Sequence, residues 1–482
     1  MRRLLLTNGS YIVLLNLLVK PIWILLIDRG LQNQLGPVAY GSYYTLLSLS
    51  LMLSAVLDAG LSQFNTRTIA SEGDPSLKNL PSIVGLKAIL WIVYMLGTLG
   101  IGFFLDYPPQ SIYWLLLLGV QQGLHAFNLL LRSILSGQMR FKREGWMGIL
   151  DKWLMTAAAF PLIWLGWSYG GQQPITAFIW IQLLATLVPT LFMGFMLGKN
   201  TRLRPSISWV EQKSLLKQIF PFALLGLLAG FYTRIDLVMI RALHAEPELQ
   251  AGLYASSYRL LDATNMIPVL LSGILLPQFA HHLSKHTLKT EWIRSASYLM
   301  LAIGLCLSWG LMAFRHEIMA SLYKHQSDSQ TNILFWIGLC CIPISLSYVW
   351  GTLLTAAGQL KTLNQLAIAA LLVNLGLNFW LIPISGGLGA AQATLITQLV
   401  LCVGQGRVCI QQFSPAIVGQ RWWFACVTLI IFIAAASTAN QSTPLALRVG
   451  LMALWPIILL TADGWCPRHW PSMLYNGQKT NN

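Results

Sequence analysis

The stretch ILWIVYMLGTLGIGFFL, residues 89–105, runs for seventeen positions without a charge or a proline. A bilayer core about 30 Å thick is crossed by roughly 20 mostly apolar helical residues. Backbone groups in hydrocarbon must satisfy one another, which leaves only helices and closed barrels. A barrel strand would alternate polar and apolar side chains over about ten residues, and this stretch does not alternate. It reads as one span of a helical membrane protein. Similar runs recur along all 482 residues and mark about fourteen transmembrane helices: 11–27, 38–63, 81–105, 111–135, 146–167, 174–198, 219–240, 252–279, 292–314, 331–357, 363–384, 388–412, 421–440 and 445–462. Only 10% of the chain is charged, where a soluble domain carries about 25%. The fold class is therefore an all-α polytopic membrane protein. The longest polar stretches, 64–80, 199–218 and 315–330, are too short to house a soluble catalytic domain. That weighs against a membrane glycan polymerase or ligase built on large external loops, and no nucleophile–base pair appears, so no enzyme is expected.

In a soluble protein the net charge of +15 would suggest nucleic acid. Here it describes topology, because cytoplasmic loops of membrane proteins are enriched in Lys and Arg. With the N-terminus in the cytoplasm, twenty-one of the 31 Lys and Arg fall in cytoplasmic segments and five outside. An even number of spans with both termini cytoplasmic follows. The basic start MRRLLLTNGSYIVLLNLLVK lacks a small-residue cleavage site and reads as a retained first span. The seven cysteines form no CxxC pair and read as small buried hydrophobes. His282 and His286 have the i,i+4 spacing of metal ligands but lie in a basic loop without an acidic partner. No metal site and no cofactor is expected, and the absence of a Walker A motif excludes ATP as this chain's own energy source.

The chain repeats. YGSYYTLL at 40–47 matches YASSYRLL at 254–261 in five of eight positions, 214 residues apart. At the same offset Lys20 falls on Arg234. Six spans separate the copies, so the repeats are parallel. The organisation expected is a six-helix lobe at 1–198, a cytoplasmic linker at 199–218, a second six-helix lobe at 219–412, and two further helices with a cytoplasmic tail at 413–482.

Five cations lie inside spans: Lys20, Lys87, Lys152, Arg234 and Arg259. Such residues are costly in hydrocarbon and usually face a bundle interior or a wet cavity. Counting 1.5 Å per residue puts Lys20, Arg234 and Arg259 at one level, about 10 Å below the outer surface. Lys87 and Lys152 form an inner tier about six residues, or about 9 Å, from the cytoplasmic ends of their spans, where they either snorkel or, as Asp151 allows Lys152, are neutralised. Arg259 and Asp262 share a helix face and form either a structural bridge or an anion site with a tuning carboxylate. Asp236 stands two residues from Arg234, on a different face. It either meets Arg259 or Lys20 across helices or binds a coupling cation. Asp28 and Asp58 read as interfacial or paired groups. A cationic cavity suits phosphate or pyrophosphate. Tyr40, Tyr43, Tyr44, Tyr232, Tyr254, Ser256, Ser257, Tyr258, Asn265, Asn374 and Asn378 supply hydroxyls and amides for sugars. The basic excess argues against an exporter of small organic cations.

LGPVAYGSYYTLLSLSLMLSAVLDAGLSQFNTRTIA, FYTRIDLVMI, AGLYASSYRLLD and TLLTAAGQLKTLNQLAIAALLVNLGLNFWLIPISGGLGAAQAT resemble, in order and spacing, the Wzx-type oligosaccharide flippases of the polysaccharide transport family. That family shares a superfamily with the MATE exporters and the lipid II flippases. The resemblance covers roughly residues 1–412. It implies two six-helix lobes around a V-shaped central cavity, rocking between inward- and outward-open states. It also implies a flippase that moves undecaprenyl-diphosphate-linked oligosaccharide across the bacterial inner membrane, driven by membrane potential or an H+ or Na+ gradient. The partners implied are the polyprenyl-pyrophosphate-linked glycan, membrane lipids, and a glycan polymerase with its chain-length regulator; none is a nucleic acid. A substrate-site role falls on Arg234, Asp236 and Arg259, which match the family's charged pattern, with Lys20, Asp262 and Tyr258 beside them. Fourteen spans, against the family's usual twelve, also point to the lipid II flippase branch.

Overall fold

The structure, a computed structural model, describes residues 19–414 except 20–21, 59, 73–79, 139, 167–172, 199–204, 207 and 325–326, and beyond them residues 431–432, 434–435, 444, 447–451 and 454. Among these residues every regular element is a helix. Ten helical stretches are long and apolar enough to cross a membrane, from Trp23–Asp58 to Gly387–Gln412. The chain is a multi-pass membrane protein. The expected span at 146–167 is also helical, but it begins earlier, at Phe141, with Lys142, Arg143 and Glu144 in its first turn. Most of the expected spans 11–27, 421–440 and 445–462 lies outside the described residues.

The chain packs as two compact units, Met1–Ser256 with Leu375–Ala390, and Ser257–Asn374 with Ala391–Asn482. Unit 1 begins with α1 (Trp23–Asp28), which is π-helical, and α2 (Arg29–Leu53). A π-turn holds one extra residue, and such bulges are frequent at functional sites. Inside α2 the backbone breaks at Gly36, whose φ of 75° only glycine adopts readily, and Pro37 restarts the helix. Next come α3 (Ala55–Asp58), α4 (Leu61–Glu72), α5 (Leu80–Phe104), α6 (Pro109–Gly137), α7 (Phe141–Trp164), α8 (Pro174–Gly198) and α9 (Trp209–Leu243). The first half of α10 (Pro247–Thr264), the end of α16 (Leu360–Ser385) and the start of α17 (Gly387–Gln412) complete the unit.

Side chains at the surface of unit 1 are strongly apolar. Leu96, Phe104 and Phe195 are each at least 70% exposed, which suits hydrocarbon rather than water. With lipid outside, helices gain little from hiding leucine and associate instead through close backbone packing and interhelical hydrogen bonds. Both devices are present. α6 and α8 are joined by Trp114 to Thr176 at 2.9 Å, Gln121 to Gln182 at 3.3 Å and Asn128 to Thr190 at 3.4 Å. The numbers rise together on both helices, so the two run parallel, and the α6 donors recur every seven residues along one face.

Close packing governs α2 and α10. A Cβ on Gly41 would fall 2.0 Å from the carbonyl oxygen of Glu248, and one on Gly252 would fall 1.9 Å from that of Pro37. The two copies of the sequence repeat therefore begin on helices that touch backbone to backbone. Gly230 of α9 approaches Met52 of α2 in the same way. These contacts draw 219–256 into unit 1, so the packing boundary falls at Ser256 rather than in the 199–218 segment. Much of that segment is itself helix. α9 starts ten residues before the expected span and is tied to α5: Gln212 donates to the carbonyls of Ser82 and Ser206, Ser206 N–H bonds to Pro81 O, and Ser82 bonds to Glu211.

Unit 2 holds the rest of α10, α11 (Met266–Ser284), α12 (Thr290–Ala313), α13 (Arg315–Leu322), α14 (Asp328–Leu339), α15 (Cys341–Ala356), and the larger parts of α16 and α17. Ser327 and Gln330 form a capping box at the start of α14. Near its C-terminal end the chain is secured by Arg448, which pairs with Glu317 and donates to Ala313 O, while Trp309 donates to the carbonyl of Arg448 at 2.8 Å.

Candidate functional site

The polar centre of unit 1 is organised by α9. Arg234 and Asp236 are two residues apart, about 200° around the helix, and engage different neighbours. Arg234 Nη1 donates to the phenol oxygen of Tyr44 on α2 at 3.1 Å. Asp236, only 1% exposed, accepts from Tyr254 OH of α10 at 2.7 Å and from Asn378 Nδ2 of α16 at 2.7 Å. A carboxylate so deep is tolerable only when hydrogen-bonded, and here neutral donors reach both of its oxygens.

A second buried carboxylate stands at the end of the π-helical α1. Asp28, 2% exposed, accepts from Tyr40 OH at 2.7 Å. Tyr40 stacks on Tyr44 with ring centroids 5.7 Å apart and planes 13° from parallel. Asp28, Tyr40, Tyr44 and Arg234 thus form one continuous chain of contacts. Tyr43 points elsewhere: it accepts from Gln182 at 2.7 Å and packs edge-on to Phe178, which stacks on Trp23. Lys152 Nζ sits 5.8 Å from the Trp23 ring centroid and 3.5 Å from Asp151.

Several expectations change in place or partner. Of the two readings of Asp28 the paired one holds, with Tyr40 as its buried partner. Within unit 1 Asp236 accepts from the neutral donors Tyr254 and Asn378. Lys152 lies halfway along α7, which begins at Phe141, five residues before the expected span, and it stands beside Trp23 with Asp151 at 3.5 Å. Lys87 is 4% exposed and does not snorkel, because Asp58 neutralises it at 2.8 Å. In unit 2 Arg259 and Asp262 face each other on one turn at 3.8 Å, the long end of an ion pair, and Tyr258 beside them is buried. Lys20 lies outside the described residues.

The sequence signal that was missed is the pairing of the first tyrosine of each repeat copy with an aspartate near the end of the helix before it. Asn378 could be named from the sequence as a polar residue in a span, but nothing there pointed it at Asp236. A cavity of about 460 Å³ between α7 and α8, lined by Leu154, Ala158, Trp180, Ile181, Leu184 and Val188, offers an anion no charge. No group of three or more metal-ligating side chains occurs among the described residues.

The model of the polysaccharide biosynthesis protein family matches residues 5–283, more than half of the chain. The lipid III flippase of Escherichia coli (strain K12) is 24% identical over 399 residues, covering 79% of this chain and 93% of that protein, and that of Shigella flexneri matches equally. Among solved structures, the lipid II flippase MurJ in an inward closed conformation superposes with a TM-score of 0.68 at 13% identity, covering 95% of this chain and 97% of that one. An inward-facing multidrug resistance MATE family transporter of the MOP superfamily gives 0.63 at 14% identity, covering 83% and 99%. At such identities these two likenesses speak for the fold.

Proposed function

The chain belongs to the polysaccharide biosynthesis protein family, and from that premise we propose that it is a flippase for polyprenyl-diphosphate-linked oligosaccharide. It carries a glycan repeat unit across the inner membrane by alternating access between its two six-helix lobes, with both termini in the cytoplasm. The observation that carries this reading is Arg234. A guanidinium well inside an apolar helix, engaged by a phenol within its own unit, suits a diphosphate that enters the bundle while its lipid tail stays in the bilayer. The relatives named lipid III flippase support a lipid-linked glycan as cargo.

Arg259 and Tyr258 serve the same diphosphate together with Lys20, and Asp262 competes with it for Arg259. Asp236 is the site of the H+ or Na+ coupling. The protein transports and does not catalyse, and it hands its cargo to a polymerase with its chain-length regulator. The test replaces Arg234 and Arg259 singly with Ala and follows surface glycan together with the lipid-linked intermediate on the cytoplasmic side. Loss of surface glycan with accumulation of intermediate is expected for each. Normal glycan without accumulation would remove that arginine from the transport path. Initial flipping rates in proteoliposomes under an imposed H+ or Na+ gradient identify the ion, and Asp236→Asn should abolish the response to it.

A further inference from the structure

We infer that Tyr44 is a positioning residue that aims the Arg234 guanidinium, and that Asp28 acts on Arg234 through Tyr40 and Tyr44. This deepens the proposed function, since it rests on Arg234 as the diphosphate-binding cation. An arginine has many rotamers, and its fork binds phosphate well only when its plane is directed. Arg234 is half-buried, and its Nη1 is tied at 3.1 Å to a phenol oxygen whose ring is fully buried. That ring is itself fixed on one face by Tyr40, at 5.7 Å and 13°. Tyr40 is fixed in turn by its 2.7 Å hydrogen bond to Asp28, at the end of the π-helical turn. Each member is set by the one before it, from an irregular backbone segment to the guanidinium. The phenol ties the guanidinium through a neutral oxygen, so this contact directs the fork without itself cancelling the charge.

The inference is tested on full-length protein in detergent, with undecaprenyl diphosphate as the probe. Two quantities are followed: the dissociation constant, and the rate at which phenylglyoxal labels Arg234, read by peptide mass spectrometry. Tyr44→Phe keeps the stack and removes only the hydroxyl. It should weaken probe binding about five- to tenfold and speed labelling of Arg234 by a similar factor. Tyr40→Phe, which keeps both rings and breaks only the link to Asp28, should shift both readouts in the same direction by about two- to threefold, a fraction of one hydrogen bond. If Tyr44→Phe does not fold, Tyr40→Phe decides the question. In an Arg234→Ala background neither change should weaken binding further. Equal losses with and without Arg234, or unchanged labelling in both variants, would overturn the inference. If Arg234→Ala binds the probe as well as the unaltered protein, the diphosphate reading fails, and the labelling rates alone still decide whether Tyr44 aims the arginine.

Discussion

At residue 40 and again at residue 254, a tyrosine gives its phenol proton across 2.7 Å to a buried aspartate on the preceding helix. The copies of the repeat share that contact and little after it. In the first copy Tyr43 packs on Phe178 and accepts from Gln182, Tyr44 accepts from Arg234, and Thr45 bonds back to Gly41 O. In the second, the matching positions are Ser257, which bonds to Gln330 O, the buried Tyr258, and Arg259, which pairs with Asp262. A feature retained in both copies belongs to the architecture, whereas one turn later Tyr43 against Ser257 and Thr45 against Arg259 are where the halves specialise. The settings also differ: Asp236 lies in a long α-helix and accepts from Asn378 as well, and Asp28 ends a π-helical turn.

The strongest attack on this comparison is on the crossing beneath both copies. Gly252→Leu drives a side chain into the carbonyl of Pro37 and should cost about 3 kcal/mol or more, since overpacking without room to relax is severe. Monodisperse yield and melting temperature in detergent measure it, and an unchanged melting point would mean the helices separate freely. Removing the acids comes next. Asp236→Ala leaves Tyr254 and Asn378 without this acceptor and Asp28→Ala does the same to Tyr40, and each should cost about 2 kcal/mol or more. A loss at one and none at the other would show that the shared contact does not do the same job in both copies. Tyr40→Phe and Tyr254→Phe each delete one hydrogen bond and should lower stability by about 1 kcal/mol; a much larger loss at one would show that the two contacts are not equivalent.

The smallest effect lies outside the repeat. Burial pushes the Glu317 carboxyl up, but the hydrogen bond and charge of Arg448, its own backbone and His316 together hold it below the usual range. A lowered carboxylate contributes its stability above the ordinary Glu value of about 4.3 and loses it as the pH falls through the lower folded value. Glu317→Gln should therefore lower the melting temperature slightly at neutral pH and leave the most acidic end unchanged, which flattens the acid limb of a pH–melting curve.

The helices, the repeat and the intramembrane charges were legible because each is a local pattern in one dimension. A run of apolar residues sets a span whatever surrounds it, and a lysine in hydrocarbon is conspicuous anywhere. Partners were not legible, since they depend on how helices rotate and cross. Lys87 could be placed in the membrane from sequence, but the choice between snorkelling and Asp58 is made by the packing of α3 against α5. The depth of Lys152 depended on where α7 starts, and hydropathy reads that poorly because its first turns are charged. Gly41 and Gly252 were visible as glycines in spans, but only the crossing of α2 and α10 explains why nothing larger fits there.

The continuity of α9 has a mechanical consequence. Its N-terminal end is fastened to the start of α5 through Gln212, and Arg234 lies 22 residues further along the same helix, about 33 Å away. Pro221 interrupts the hydrogen-bond ladder between the two, so the tie to α5 fixes the first turns of α9 while the length that carries Arg234 can bend about the proline. The tie to α5 and Arg234 thus belong to one helix with a single proline between them.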